Sequence, residues 1–166
     1  SGLIILGGIG FIVWWDVISG LKNARTKKRK LFLNFTLHTK IVLVVTAVLI
    51  LGGAVAFFIF EYNNPLTMKE YSLFEKIQAS LFQSVTTRTA GFATIPQKNL
   101  TNASAIVSLL LMFIGGSPVG TAGGIKTVTF AILIFAAFAT INQKEDVALF
   151  HRTIPKHAVS KAVAVT

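Results

Sequence analysis

The chain has 166 residues, of which 53% are hydrophobic and 13% are charged, with a mean hydropathy of +0.69 and a formal net charge of +10. Soluble domains carry about a quarter charged residues, so this composition indicates a membrane protein. The absence of cysteine excludes disulfides, thiol chemistry and cysteine-based zinc sites. The basic residues lie at the ends of apolar segments without interleaved aromatic residues, which argues against nucleic acid as a partner.

The first segment, residues 1–18, is apolar and rich in glycine. It opens without methionine and is too short and wrongly flanked for a signal peptide, so we expect the end of a preceding transmembrane helix in a fragment of a longer chain. Residues 19–36 form a basic loop, which the positive-inside bias places in the cytoplasm and which anionic lipid could also attract. Its basic residues within one nine-residue stretch are Lys22, Arg25, Lys27, Lys28, Arg29 and Lys30.

Residues 41–60 form the clearest membrane span, because twenty consecutive positions carry no charge. A helix of that length crosses a hydrocarbon core of about 30 Å. With the basic loop inside, this helix is predicted to run from the cytoplasm to the outer side.

Residues 71–85 are predicted to form a short pore helix that dips into the membrane and returns. Glu75 and Lys76 make the segment a poor span. The next basic stretch, residues 144–161, is predicted to be cytoplasmic, so an odd number of crossings must precede it. One crossing over residues 99–143 satisfies this count. The apolar residues along one face of the pore helix are Phe74, Ile77, Leu81 and Val85.

Residues 86–92 read Thr-Thr-Arg-Thr-Ala-Gly-Phe and follow the predicted pore helix. A cation that crosses a bilayer must exchange its water for oxygens of similar strength, which rings of backbone carbonyls supply in potassium channels. Against the potassium-channel filter Thr-Val-Gly-Tyr-Gly, residues 89–93 keep the first glycine, Gly91, and lose the second. The segment is therefore a candidate ion site, and a glycine turn in an extracellular loop is the alternative.

A glycine-rich break over residues 115–124 interrupts the last apolar stretch. Glycine and proline end helices, and irregular backbone at membrane depth must be buried in protein or line water. The alternative is a loop between two separate helices, residues 103–114 and 125–141, which would place residues 144–161 outside. A phosphate-binding loop is excluded because Ile125 stands where glycine must precede Lys126. Lys126 either snorkels to the interface or takes part in gating.

The order of apolar helix, pore helix, residues 86–92 and a helix broken at residues 115–127 resembles the Trk/Ktr/HKT superfamily of potassium transporters, and most closely its ion-translocating KtrB subunit. In that family one chain carries four helix–pore–helix repeats around a single pore, and the glycine-rich break belongs to the third. The resemblance implies an all-α integral membrane fold. Residues 1–18 would end repeat two, residues 37–143 would form repeat three, and residues 144–166 would hold a cytoplasmic loop and the start of repeat four.

This resemblance also assigns the site residues. Backbone carbonyls of Thr89, Ala90 and Gly91 would bind potassium, with Arg88 and Phe92 completing the filter segment. The Arg88 guanidinium is expected to point away from the ion path towards a polar partner. The loop that gates the path below would comprise Gly115, Gly116, Ser117, Pro118, Gly120, Thr121, Gly123, Gly124 and Lys126.

The function implied by the resemblance is potassium uptake by a multi-pass protein of the cell membrane, with sodium coupling left open. No cofactor is expected in this chain, and ATP, ADP or NAD would bind only a cytosolic nucleotide-binding ring of the KtrA type. The expected partners are membrane lipid, the remainder of the same pore subunit, a second copy in a homodimer and that ring.

Two other functions remain open on the sequence. A secondary transporter could bind a solute at its discontinuous helix without any pore loop. A membrane scaffold would tolerate changes in both glycine motifs. An enzyme is not expected, because His38, His151 and His157 lie at predicted cytoplasmic edges and no paired carboxylates lie in an apolar stretch.

Overall fold

The computed structural model describes residues 1–27, 35–88, 90–118, 120, 123–142, 147–149 and 152–154. Much of the predicted basic stretch at residues 144–161 lies outside these ranges. The described elements are six helices, one 3-10 turn (Gln97–Asn99) and two strands. In chain order the helices and strands are α1 (Gly2–Ile9), α2 (Phe11–Lys27), α3 (Leu37–Glu61), α4 (Leu73–Thr86), α5 (Asn102–Phe113), α6 (Thr127–Ile141), β1 (Val147–Leu149) and β2 (Arg152–Ile154).

Helix α3 is the central element, and the predicted span over residues 41–60 lies within it. It begins after Thr36, whose hydroxyl accepts a hydrogen bond from the Thr39 backbone at 3.3 Å and so satisfies one free donor of the first turn. Among the described residues it is the one helix that is long and apolar enough to cross a membrane unaided. Helices α1, α2, α4, α5 and α6 all contact it.

The first apolar segment forms two helices where the sequence suggested the end of one. Helices α1 and α2 meet at Gly10 with a bend of 95°. Gly10 has a φ of +87°, and a Cβ there would lie 2.7 Å from the Pro118 carbonyl oxygen. Helix α2 continues to Lys27, so the first part of the predicted loop at residues 19–36 is helical. The bend therefore lies directly against the distant glycine-rich loop.

Helix α4 occupies the place of the predicted pore helix and is too short to span, since 14 residues extend about 21 Å. A reciprocal capping box between Ser72 and Glu75 fixes its start. The apolar face predicted from the spacing is exposed at its first two residues, Phe74 at 69% and Ile77 at 51%, and becomes buried only at Val85. The opposite, more polar face packs inward through Lys76, Ala79, Ser80, Gln83 and Ser84.

Close packing of α4 on α3 depends on one glycine. The Ser84 hydroxyl donates a 2.8 Å hydrogen bond to the Ile50 carbonyl of α3. A Cβ at Gly53 would lie 2.4 Å from the Ser84 hydroxyl oxygen and 2.8 Å from a methyl carbon of Leu111 in α5. Gly53 therefore lets both α4 and α5 approach α3.

Helices α5 and α6 have 12 and 15 residues, and hydrogen bonds hold the end of one beside the start of the other. The Ile125 N–H donates to the Phe113 carbonyl at 2.9 Å, and the Gly115 N–H donates to the Ile125 carbonyl at 3.0 Å. Both helices contact α3. The predicted break thus lies between two helices whose ends are joined by hydrogen bonds, and a single broken crossing stays a prediction.

Strands β1 and β2 form a short antiparallel ribbon in the predicted cytoplasmic loop, with Val147 opposite Ile154. The all-helical expectation did not include them. They are three residues each, and β1 contacts α6, so they are a small addition to a fold that remains that of a helical membrane protein.

The C-terminal end of α3 is fastened by Glu61, whose side chain is fully buried. One carboxylate oxygen accepts hydrogen bonds from Asn64 at 2.7 Å and Thr67 at 2.6 Å. The other accepts the backbone N–H and the hydroxyl of Thr101, both at 2.9 Å. Since Thr101 is the N-cap of α5, Glu61 joins the end of α3 to the start of the broken helix.

We expect Glu61→Ala to lower the stability of the full-length parent chain by roughly 2–4 kcal/mol, because four hydrogen-bond donors of Asn64, Thr67 and Thr101 lose their acceptor. Thermal unfolding in detergent measures the change. Glu70→Ala is the matched control, since Glu70 is exposed in the same connecting segment and its substitution should change the free energy of unfolding by no more than about 0.5 kcal/mol. Equal midpoints for the two variants would contradict the fastening role.

Candidate functional site

The segment after α4 is closed by its own hydrogen bonds. The Ala90 N–H donates to the Thr86 carbonyl at 3.0 Å. The Thr86 hydroxyl accepts the Phe92 N–H at 2.9 Å and donates to the Phe92 carbonyl. The two ends of this segment, Thr86 and Phe92, are therefore joined through one threonine side chain.

The predicted filter residues lie on this loop in different environments. Arg88 is buried, Ala90 is half-buried, and Gly91 and Phe92 are exposed. Gly91 has a φ of +77°, which favours glycine, and a Cβ there would meet no atom within 4 Å. Glycine is thus required here for its backbone angles, while one side of the loop is open within this chain. Thr89 lies outside the described residues.

A hydrogen-bonded pair of glutamines joins α4 to the segment that follows the loop. This pair was not identified from the sequence. Gln83 of α4 is fully buried, and its amide exchanges hydrogen bonds of 2.9 and 3.0 Å with the amide of Gln97. The pair fixes the chain that leaves the loop against the helix that enters it. The polar residues along one side of this otherwise apolar helix were the sequence signal that could have predicted such a buried polar contact.

The opposite end of α4 is held by Lys76, which is only 8% exposed. Its ammonium donates to the Tyr62 carbonyl at 2.9 Å and lies 3.9 Å from the centre of the Tyr62 ring. Both contacts give the ammonium partners in a largely buried place. The lysine that made this segment a poor span thus anchors α4 to the C-terminal end of α3.

The glycine-rich loop is pinned at both ends and in the middle. The Thr127 N–H donates to the Gly116 carbonyl at 3.0 Å, which supplements the pairing of Gly115 with Ile125. Further along, the Ser117 N–H donates to the Gly8 carbonyl of α1 at 2.9 Å. Residues 115–117 are buried, Pro118 and Gly120 are half-buried, and Gly123 and Gly124 are exposed. Val119, Thr121 and Ala122 lie outside the described residues.

Two glycines of this loop have no room for a side chain. A Cβ at Gly115 would lie 1.4 Å from the Gly123 carbonyl oxygen, and Gly124 has a φ of +75° with backbone oxygens 2.8 Å from an added Cβ. The two strands of the loop therefore touch backbone to backbone. Lys126 occupies the N-cap position of α6 and is half-buried, so it stands at the start of a helix rather than within one.

The two glycine motifs meet through Arg88. A terminal nitrogen of its guanidinium donates to the Gly115 carbonyl at 3.0 Å. The expected polar partner of Arg88 is thus a backbone carbonyl of the glycine-rich loop. Because a backbone acceptor leaves no trace in side-chain composition, the sequence could not name it.

A spanning helix, a short helix with a closed glycine loop and a broken helix beneath it define a membrane transport protein of the pore-loop class. The whole chain, residues 1–166, matches the family model of TrkH, described as a cation transport protein. The chain belongs to this family, whose description is that of a transporter and not of an enzyme. It is therefore a membrane protein.

Similar proteins carry potassium in their names. The chain is 41% identical over 165 residues to the potassium/sodium uptake protein NtpJ of Enterococcus hirae, covering 99% of this chain and 34% of that protein. It is 39% identical over 164 residues to the Ktr system potassium uptake protein B of Bacillus subtilis, covering 99% of this chain and 35% of that protein. The chain spans about a third of the length of these relatives.

The fold is also found in a solved structure, that of the potassium transporter TrkH from Vibrio parahaemolyticus. The TM-score is 0.71 at 15% sequence identity, over 97% of this chain and 33% of that one. The likeness establishes the fold and confirms the helical membrane architecture expected from the sequence.

Proposed function

We propose that this chain supplies one pore loop and the gate loop of a potassium uptake protein. The observation that carries the proposal is the contact between the two motifs: the closed loop at residues 86–92 lies directly against the break between α5 and α6, joined by Arg88 and Gly115. The relatives named for potassium and potassium/sodium uptake support the choice of ion.

The ion-binding groups are backbone carbonyls of the loop after α4. We assign potassium to the carbonyls of Thr89, Ala90 and Gly91, with Arg88 and Phe92 at the ends of the segment. The closure of the loop by Thr86 would hold these carbonyls in place when an ion sheds its water. One strand cannot surround an ion, and the open side of Gly91 leaves room for the loops of the remaining repeats.

The barrier below is the glycine-rich loop. Its buried part is irregular backbone at membrane depth, which is tolerated where it is buried in protein or lines a water-filled path. Flexible glycine lets such a loop move between blocking and open positions. We assign this role to Gly115, Gly116, Ser117, Pro118, Gly120, Thr121, Gly123, Gly124 and Lys126.

The complete protein would be a multi-pass protein of the plasma membrane that works as a homodimer. Relatives named as lettered proteins of a Ktr system support a further component, for which we propose a cytosolic KtrA-type ring that binds ATP, ADP or NAD. Membrane lipid and the other repeats of the subunit would cover the exposed apolar faces. Sodium, named beside potassium for the Enterococcus hirae relative, is the candidate coupling ion.

We expect the full-length parent chain to restore growth on limiting potassium, and rubidium uptake, in cells that lack their own potassium uptake systems. Membrane expression is verified in parallel, and the empty vector is the control. A protein that reaches the membrane but restores neither would contradict the proposal. A secondary transporter for another solute would give that result. Such a transporter needs no re-entrant helix, so the short helix α4 favours the ion pathway.

A further inference from the structure

The Arg88 side chain lies in surroundings that offer a charge little compensation. It is 8% exposed and borders a cavity of about 20 Å³ whose other walls include Ile4, Ile5, Ile50 and Val85. A guanidinium always carries its charge in proteins, and burial without partners is costly. The hydrogen-bond partners of the guanidinium therefore determine whether this buried position is stable.

Within the described part of the chain, the side chain has one hydrogen-bond partner, the Gly115 carbonyl at 3.0 Å. Its Nε is buried and makes no hydrogen bond to any described residue. No described carboxylate forms an ion pair with it. Loss of the contact with Gly115 would leave the guanidinium without any of its described acceptors.

The acceptor, the Gly115 carbonyl, is held in place by the hydrogen bonds of its own loop. The Gly115 N–H is bonded to Ile125, and the Gly116 carbonyl next to it accepts from Thr127. Gly115 cannot carry a side chain, because the Gly123 carbonyl oxygen occupies that space. A movement that carries the loop away from the pore loop must therefore break the bond to Arg88.

We infer that Arg88 is a positioning residue that holds the glycine-rich loop against the pore loop, so that its hydrogen bond to the Gly115 carbonyl biases the gate towards the packed position. The inference rests on the proposed function, which assigns the gate to the glycine-rich loop. A charge-assisted hydrogen bond of this kind shifts such an equilibrium on the order of tenfold.

Thiol labelling of Ser117→Cys in the full-length parent chain, freed of any other cysteine, tests this inference. Ser117 is fully buried next to the bonded residues, so we expect slow labelling by a water-soluble reagent when Arg88 is present. Arg88→Met removes the donors while keeping a long side chain, and we expect labelling to become about tenfold faster. Arg88→Gln is a second variant in case the methionine protein fails to reach the membrane.

The matched control is Thr87→Val at the neighbouring position. Thr87 is also buried, but its hydroxyl donates only within α4, to the Gln83 and Ser84 carbonyls. We expect this variant to keep slow labelling. Arg88→Lys, which retains one charged donor for the Gly115 carbonyl, should restore labelling towards the parent rate.

Two results would overturn the positioning role: unchanged labelling in Arg88→Met and Arg88→Gln, or equal acceleration in Thr87→Val. Rubidium uptake is measured in the same cells for the parent. If the parent takes up rubidium but labelling is unchanged in the Arg88 variants, only the positioning role of Arg88 is refuted. If the parent takes up no rubidium, the proposed function is refuted.

Discussion

Replacing Gly91 by serine is expected to weaken the preference of the full-length protein for potassium over sodium. Gly91 has a φ of +77°, where a side chain costs about 1–2 kcal/mol, so the backbone should relax and move the neighbouring carbonyls. A change of that size corresponds to a loss of selectivity on the order of tenfold. Competition of sodium against rubidium uptake measures it.

The matched control for this substitution is Gly52→Ser on α3. The chemical change is identical, but a Cβ at Gly52 meets no atom within 4 Å and the residue lies within a regular helix. Its competition curve should match that of the parent. If sodium competes no better against uptake by Gly91→Ser than by Gly52→Ser, Gly91 is not part of a selective filter.

Deleting residues 118–122 is expected to raise the rate of rubidium uptake. The deletion keeps the hydrogen bonds of Gly115 to Ile125 and of Gly116 to Thr127, which join α5 to α6. Since Gly123 already lies against Gly115, the shortened chain has little distance to close. The pathway would lose its barrier while the helices stay in place, and initial uptake rates measure the gain.

A variant of equal length separates loss of the barrier from general damage. Residues 119–122 replaced by glycine and serine keep the loop over the path, so their uptake should stay close to that of the parent. An uptake rate for the shortened loop at or below that of the equal-length variant would contradict the gate assignment.

The sequence predicted the helical elements that depend on local signals. A run of twenty uncharged residues identified α3, and a cluster of five glycines and a proline located the break between α5 and α6. The bend at Gly10 could not be predicted in the same way. Gly10 lies against the Pro118 carbonyl, more than a hundred positions away in the chain, and an apolar run with glycine is equally compatible with a straight helix.

The packing face of α4 shows a limit of hydrophobic spacing in membrane proteins. Phe74 and Ile77 repeat as a core face does, yet they are exposed in this chain while Gln83 and Ser84 are buried. In a membrane, apolar residues also face lipid and neighbouring repeats, so periodicity alone cannot identify the inward side. The buried polar side follows from hydrogen bonds to α3 and to Gln97 that only the fold reveals.

The two candidate motifs were recognised in the sequence, but the link between them was not. Both could be recognised because their glycines indicate backbone angles or close approaches that other residues do not allow. The Arg88 contact and the Gln83–Gln97 pair involve partners 27 and 14 positions away, and one of those partners is a backbone carbonyl. Such contacts belong to the tertiary arrangement of α4 and the broken helix.

The most direct test of the ion pathway is a crystal structure of the full-length parent chain grown with rubidium, using the anomalous signal of that ion. We expect peaks beside the backbone carbonyls of residues 89–91, enclosed by the corresponding loops of the other repeats. Rubidium bound elsewhere in the membrane region, with none along this loop, would contradict the assignment of residues 86–92 as a filter strand.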